Sequence, residues 1–253
     1  MCAYQLGAFP ILLAGTDAQK DFYLREMTQG RATSFALSER VAGSDAAAIE
    51  ATAVREGDGW RLRGEKYWIG NGGASRYYVV FAKTDPAAGG RGISAFMVDK
   101  EKPGAVVDEL SDKMGIRGTQ TSNLRVDVVV PDSARIGELN RALRLALQTL
   151  NVGRIMVSAQ SMGLALAAFR EASQRAVERR TFGQPIGENQ GIGFKLADMA
   201  TEISAARMML YEAARAYDAG ADVSNLGAMA KLFTSEVAHR AADNAVQIWG
   251  GMG

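Results

Sequence analysis

The sequence predicts an α+β fold, in which a short helical segment leads into a β-rich middle and long helices close the chain. Three observations carry this expectation. Residues 1–33 contain Thr16-Asp17-Ala18-Gln19-Lys20, a helix-capping pattern followed by Phe22, Tyr23 and Met27 on one helical face. Residues 34–138 change to short apolar runs punctuated by Gly and Pro, the habit of strands joined by turns. From Leu139 onward the period is helical again, with Leu143, Leu147 and Leu150, and later Met162, Leu166 and Phe169, at spacings of three or four.

The elements follow in order. Thr16 or Asp17 caps a first helix. Trp60-Arg61-Leu62-Arg63 follows the turn Gly57-Asp58-Gly59 as a strand, and Tyr77 to Ala82, Ile93 to Val98 and Leu124 to Val128 read as further strands, the last ending before Pro131. Pro86-Ala87-Ala88-Gly89-Gly90 reads as a surface loop between two of them. The first long helix runs without proline until Pro185. Two more are expected, Gly191 to about Ala219 and Leu226 to about Trp249, separated by the loop from Gly220 to Asn225. The domains expected are therefore a helical remnant over 1–33, a β-barrel-like middle domain over 34–138 and a helical bundle over 139–253.

Composition removes several function classes. A chain of 253 residues, 47% hydrophobic and 23% charged, can bury a sizeable core, and a net charge of +1 argues against a nucleic-acid surface. The longest apolar runs, such as Pro10 to Gly15, fall short of the ~20 residues that span a bilayer, so no transmembrane helix is expected. Cys2, the single cysteine, excludes an intrachain disulfide and suits a reducing, cytoplasmic compartment. With His239 as the only histidine, placed on a helix as a surface or packing residue, no multi-imidazole metal site can be built. No Gly-x-Ser-x-Gly elbow and no Walker loop occurs, and Gly70-Asn71-Gly72-Gly73 lacks the spacing of a dinucleotide fingerprint.

Two segments carry positive chemical information. Ala36-Leu37-Ser38-Glu39-Arg40-Val41-Ala42-Gly43-Ser44-Asp45 is a loop of small residues whose backbone N–H groups can approach a ligand, with the Ser38 and Ser44 hydroxyls as further donors. Trp68, at the head of Trp68-Ile69-Gly70-Asn71-Gly72-Gly73, offers a flat face on which an isoalloxazine ring could lie. Together with Lys113 to Gly118, Glu178 to Ile186 and Gln247 to Gly253, these segments resemble the acyl-CoA dehydrogenase family, whose first signature is satisfied at every constrained place from 36 to 48.

The resemblance implies FAD as cofactor and α,β-dehydrogenation of an acyl-CoA thioester within fatty acid and lipid metabolism, with electrons passed to an electron-transfer flavoprotein. It implies a homodimer or homotetramer. Leu37, Ser38, Gly43, Ser44, Trp68 and Gly70 correspond to flavin contacts, Ser44 also to the start of the acyl-CoA chain. At Gly70 the family usually has Thr or Ser, so only backbone contact is expected there, and Arg40-Val41 stands in place of the commoner Pro-Gly. Arg179, Phe182 and Gln190 correspond to residues that reach the FAD of a neighbouring subunit, and Gln247, Gly250 and Gly251 to its adenosine-side contacts. Asn151 and Arg154 correspond to positions near the substrate, Asn151 where some relatives carry Asp.

The family's usual glutamate base is expected beyond Gly253, and the alternative position one residue before Arg154 is Gly153, so little turnover is expected of the chain alone. Glu39 corresponds to a structural glutamate, and Asp45 to a loop-ordering or capping residue. Two other readings stay open at this level. A flavin monooxygenase or nitroalkane oxidase on the same fold would consume oxygen. A non-catalytic partner subunit would retain flavin without turnover.

Overall fold

The computed structural model describes residues 2–253, with the side chains of 2–5 and 109–110 outside the description, so the thiol of Cys2 lies outside the described residues. Two compact units divide the chain, Met1–Leu150 and Asn151–Gly253.

The first unit opens with α1 (Cys2–Ala14) and α2 (Asp17–Thr28). Thr16 is the cap: its Oγ accepts the Gln19 N–H at 3.2 Å while the Gln19 side chain accepts the Thr16 N–H at 2.9 Å, a reciprocal capping box that leaves Asp17 as the first helical residue. Gln19 also donates to the carbonyls of Ser133 and Arg135, which ties the helix to the sheet. Of the apolar face, Tyr23 and Met27 pack on the core, whereas Phe22 is exposed and meets Tyr23 edge to face.

Strands β1 (Thr33–Ala36), β2 (Thr52–Glu56), β3 (Gly59–Ile69), β4 (Tyr77–Lys83), β5 (Ile93–Asp99), β6 (Ala105–Leu110), β7 (Ser122–Pro131) and β8 (Arg135–Ile136) form one mixed sheet in the order β6-β7-β3-β2-β4-β5-β8. Strands β2 and β3 pair antiparallel across the two-residue turn Gly57-Asp58, where Gly57 takes the φ of +58° that such a tight turn demands. The expected loop from Pro86 coils into a short 3-10 segment between β4 and β5.

One feature of the topology builds the site. β1 runs parallel to β4 over 77–80, and the first residue of β2 pairs parallel with Lys83 of the same strand. Two strands thus share one edge of β4 in succession, and the chain between them, residues 37–51, must leave the sheet and return. The signature loop is that excursion. The core behind it is formed by Val79, Val80, Phe81, Phe96, Leu62, Leu124 and Ile136, all at or near zero exposure.

Helix α3 (Ala142–Glu178) is 37 residues long and runs from the first unit into the second. The second unit adds the small hairpin β9 (Arg180–Thr181) and β10 (Gln184–Pro185), then α4 (Gln190–Asp218) and α5 (Ser224–Trp249). Its core is the seam of Ile155, Met162, Ala165 and Ala172 from α3, Met199, Ile203 and Ala206 from α4, and Ala230, Val237 and Ala241 from α5. Small residues at these positions let the helix axes approach closely. His239 is exposed on α5.

The expectation that no helix could span a membrane needs correcting on one point. α3 contains an 18-residue window of mean hydropathy 1.3 and is long and apolar enough to cross by length and composition alone. Counting unbroken apolar runs missed it because single polar residues such as Arg154, Ser158 and Gln160 break the runs while the apolar residues around them keep the average high. The residues of α3 in the two cores show the helix packing inside protein along part of its surface.

Candidate functional site

The loop 37–51 is held from below by a buried ion pair. Glu39 is 4% exposed and Lys66 is fully buried, with Lys66 Nζ 2.6 Å from Glu39 Oε1. The carboxylate also accepts the backbone N–H of Glu50 at 2.6 Å and of Ala51 at 3.1 Å, pinning the far end of the loop beside its beginning. Lys66 Nζ donates a second bond to the Leu37 carbonyl at 3.1 Å, and the Tyr67 N–H donates to the Ser38 carbonyl at 2.9 Å. Glu39 is thus structural, as the resemblance implies. Burial pushes the Lys66 ammonium down to about 8 against the opposing pull of Glu39.

Lys66 was missed at the sequence level, although a signal existed. Along β3 the buried positions Trp60, Leu62 and Lys66 are in phase with period two, so Lys66 is a charge on the core face of a strand. Such a residue requires a partner, and Glu39 is it.

A β-bulge then re-aims the strand. Lys66 pairs with Leu124 and Ile69 with Ser122, so three residues of β3 are spanned by two of β7. The extra residue lets Ile69 stay in the core while Trp68 turns out. Trp68 adopts φ +55°, its N–H is caught by Asn123 Oδ1 at 3.2 Å, and its indole is 58% exposed. A large aromatic held in the left-handed region and left open is a strained, deliberate arrangement.

The other predicted residues of the first unit surround this geometry unevenly. Leu37 places its side chain in the core, so only its backbone can face a ligand. Gly43 and Ser44 are exposed, with no atom within 4 Å of where a Gly43 Cβ would stand. The Gly70 carbonyl accepts the Ser34 hydroxyl at 2.8 Å, which leaves its N–H as the group it can offer. Arg40 and Val41 occupy the tip of a turn closed by the Glu39 and Ala42 backbones, at 2.9 and 3.1 Å, neither at positive φ. Asp45 precedes the 3-10 turn Ala46–Ala48 without a side-chain capping bond.

Beside the loop lies a cleft of about 1380 Å³, lined among others by Arg91, Arg135, Arg141, Arg144, Asp132 and Glu138. Asp132 is already engaged by the Trp60 indole at 2.7 Å and by Arg55 at 3.0 Å, contacts that hold its carboxyl below the usual range. Arg91, Arg141 and Arg144 have no ion pair among the described residues, so the cleft is positively charged. Gly90 joins cleft and loop: a Cβ there would stand 2.7 Å from Leu143 and 3.1 Å from Ala47. Nothing larger than glycine fits this approach without displacement.

In the second unit the predicted residues fall into two groups. Asn151 and Arg154 sit where α3 meets the start of α5: Arg154 donates to Asn151 Oδ1 at 2.6 Å, and the Asn151 amide donates to Ser224 Oγ at 2.9 Å. Asn151 is neutral, so this contact leaves the Arg154 charge uncompensated. The second group gathers at the other end. Phe182 and Gly183 form the turn of the β9–β10 hairpin with φ of +52° and +84°, and the Phe182 ring is fully exposed. Arg179 precedes the hairpin, Gln190 opens α4, and Gln247, Gly250 and Gly251 end α5, all exposed. Lys195 donates to Asn244 at 2.8 Å, and the Arg175 guanidinium stacks over Trp249 at 4.9 Å, which brings the C-terminal end of α5 to the hairpin end of the unit. Arg154 and Arg179 are 25 residues apart on and just after α3, ~37 Å at the helical rise.

Residues 34–129 match the family model of the acyl-CoA dehydrogenase middle domain, and residues 140–253 that of the acyl-CoA dehydrogenase C-terminal domain. The chain belongs to the acyl-CoA dehydrogenase family. It is 42% identical over 250 residues to an acyl-CoA dehydrogenase of Bacillus subtilis (strain 168), covering 98% of this chain and 66% of that protein. It is 44% identical over 246 residues to a 3-(aryl)acrylate reductase of Clostridium sporogenes (strain ATCC 15579), covering 96% and 65%. A solved structure described as the electron transferring flavoprotein of Acidaminococcus fermentans superposes with a TM-score of 0.96 at 42% identity, covering 99% of this chain and 67% of that one. The chain thus spans about two thirds of the length of the curated relatives it matches.

Proposed function

We propose that this protein takes part in α,β-dehydrogenation of an acyl-CoA thioester with FAD as cofactor, electrons leaving to an electron-transfer flavoprotein. The observation that carries the reading is the signature loop beside an outward-turned Trp68, within a chain that matches both family models. The residues fit a flavin: Trp68 offers an open aromatic face, the Gly70 N–H is spare, and the buried Asn71 amide nitrogen has no acceptor among the described residues. FAD, when bound, supplies the two-electron acceptor for the hydride that leaves the β carbon while a base takes the α proton. Ser38, Gly43, Ser44 and Trp68 would hold the ring and the start of the acyl chain. Glu39 is excluded as the base by its burial and its pairing with Lys66, and no carboxylate of the described residues is assigned that role.

The cleft extends the reading to the thioester's polar tail. Its arginines suit a phosphorylated chain, and Gly90 abuts Ala47, three residues beyond Ser44. A cytoplasmic setting accords with the single cysteine.

The test is reconstitution. The chain incubated with FAD is expected to gain a bound flavin spectrum, and acyl-CoA is expected to perturb that spectrum; a folded chain that binds no flavin removes the reading. Arg141→Glu combined with Arg144→Glu is expected to weaken acyl-CoA binding by roughly tenfold, about 1.4 kcal/mol from two exposed charges reversed, with FAD affinity unchanged and the deficit shrinking as salt rises. Titration of the flavin spectrum with acyl-CoA at two ionic strengths checks this.

The buried lysine also sets a pH dependence of stability. Between about 8 and its ordinary 10.5, the folded chain has lost a Lys66 proton that the unfolded chain still holds, so this group raises stability as pH rises through that window. Urea midpoints between pH 7.5 and 9.5 should therefore climb more steeply in the parent chain than in Lys66→Met. Above about pH 10 the trend reverses, because burial raises the phenols of Tyr77 and Tyr78 and unfolding then releases protons.

A further inference from the structure

The Leu37–Ser38 peptide is held on one side only. Its carbonyl accepts the Lys66 ammonium at 3.1 Å, whereas the Ser38 N–H has no acceptor among the described residues. The chain contains no cis peptide bond among the described residues, and in a trans peptide the N–H points opposite to the C=O of the same plane. Fixing the Leu37 carbonyl toward the buried Lys66 therefore fixes the Ser38 N–H away from the core. Ser38 is half-buried at the start of the signature loop, where an unpaired N–H would otherwise be costly.

Four further contacts make this peptide stiff. Glu39, the next residue, grips the same Nζ at 2.6 Å and is itself bonded to Glu50 and Ala51. The Ser38 carbonyl is taken by the Tyr67 N–H, from the residue that follows Lys66 on β3. The next residue along that strand is Trp68. One strand segment thus orients the amide donor and carries the aromatic face.

We propose that Lys66 is a positioning residue for the cofactor: through the Leu37 carbonyl it aims the Ser38 amide N–H at the bound flavin. The inference rests on the FAD reading above. It assigns Lys66 no contact with the ligand and no proton transfer. Its charge serves to hold one peptide plane in a single orientation.

The experiment separates positioning from simple structural support. Lys66→Met strands the Glu39 carboxylate and is expected to destabilise the chain. The double variant Lys66→Met with Glu39→Gln removes the buried charges as a pair, keeps an acceptor for one of the Glu50 and Ala51 N–H groups, and should regain part of that stability. If Lys66 positions Ser38, the double variant folds as the parent does by circular dichroism, yet binds FAD about tenfold more weakly, the loss of one aligned donor, and shifts the absorbance maxima of the bound flavin. Equal affinity and an unchanged spectrum in the folded double variant would overturn the proposal while leaving FAD binding intact. Failure of the parent chain to bind FAD would overturn both readings. Amide hydrogen exchange of the unmodified chain gives a second measurement that needs no variant. The Ser38 N–H should exchange rapidly without FAD and become protected with it; protection already present in the free chain, or none gained on loading, would also refute the assignment.

Discussion

Glu39→Ala is expected to cost about 3–5 kcal/mol, enough to leave the first unit partly unfolded at ambient temperature. The substitution leaves the Lys66 ammonium without a counter-charge at full burial, and it strips an acceptor from the Glu50 and Ala51 N–H groups. Breaking a buried pair from one side costs more than the pair contributes, because the remaining charge cannot be rehydrated in place. The loss should appear as a urea midpoint lower by at least ~1 M, given the usual slope of 1–3 kcal/mol per molar. Glu39→Gln should cost less, since its amide oxygen can still accept one of the two backbone N–H groups, which bond to different oxygens of the carboxylate. If Glu39→Ala leaves the midpoint unchanged, the loop is not held by this pair, and the positioning of Ser38 loses its foundation too.

The same pair shows where the sequence could be read and where it could not. Helices with a period near 3.6 were legible along most of the second unit, where Met162 and Phe169 do face the core, although Leu147 and Leu166 of the same spacing are exposed. The turn into β3 was legible in Gly57-Asp58, because few other residues accept it, whereas its partner strand β2, Thr52–Glu56, was not read. The parallel pairing of β1 with β4 was not legible. It joins residues more than forty apart through four residues of strand, Thr33–Ala36, that carry no alternation to speak of. Strand β6 was hidden for a similar reason: Ala105-Val106-Val107-Asp108 is short and follows a Pro-Gly turn.

At the site, residue identities were legible and their geometry was not. Ser38, Ser44 and Trp68 stand out by pattern, yet nothing local says that Trp68 is turned outward. That follows from the bulge between Lys66 and Ile69, which depends on the register against β7. The buried role of Lys66 needed the loop to come back over the strand, a contact across 27 residues. Long-range pairing decides such matters, and composition or period cannot express it.

Phe182→Gly and Arg179→Ala test the homo-oligomer that the resemblance implies, and neither should destabilise the isolated chain. Phe182 holds φ +52° with its ring fully exposed, an arrangement that costs free energy and exposes apolar surface with no return within one chain. The resemblance implies that this exposed apolar surface meets a second copy, whose FAD would be completed by Arg179, Phe182, Gln190 and the Gln247 to Gly251 segment. Glycine at 182 relieves the left-handed strain and should leave the monomer as stable or about 1 kcal/mol more so, while weakening association. Arg179→Ala should leave monomer stability unchanged, because the side chain is exposed and unpaired among the described residues, and should weaken FAD binding by roughly 5- to 150-fold, one charge-assisted contact of about 1–3 kcal/mol. Since a shared ligand links affinity to association, FAD should shift the parent chain toward the oligomer in sedimentation, and each variant should blunt that shift. A parent chain that stays monomeric with FAD bound at concentration-independent affinity would defeat the shared-site model, and Phe182 would then be a strained turn without a function.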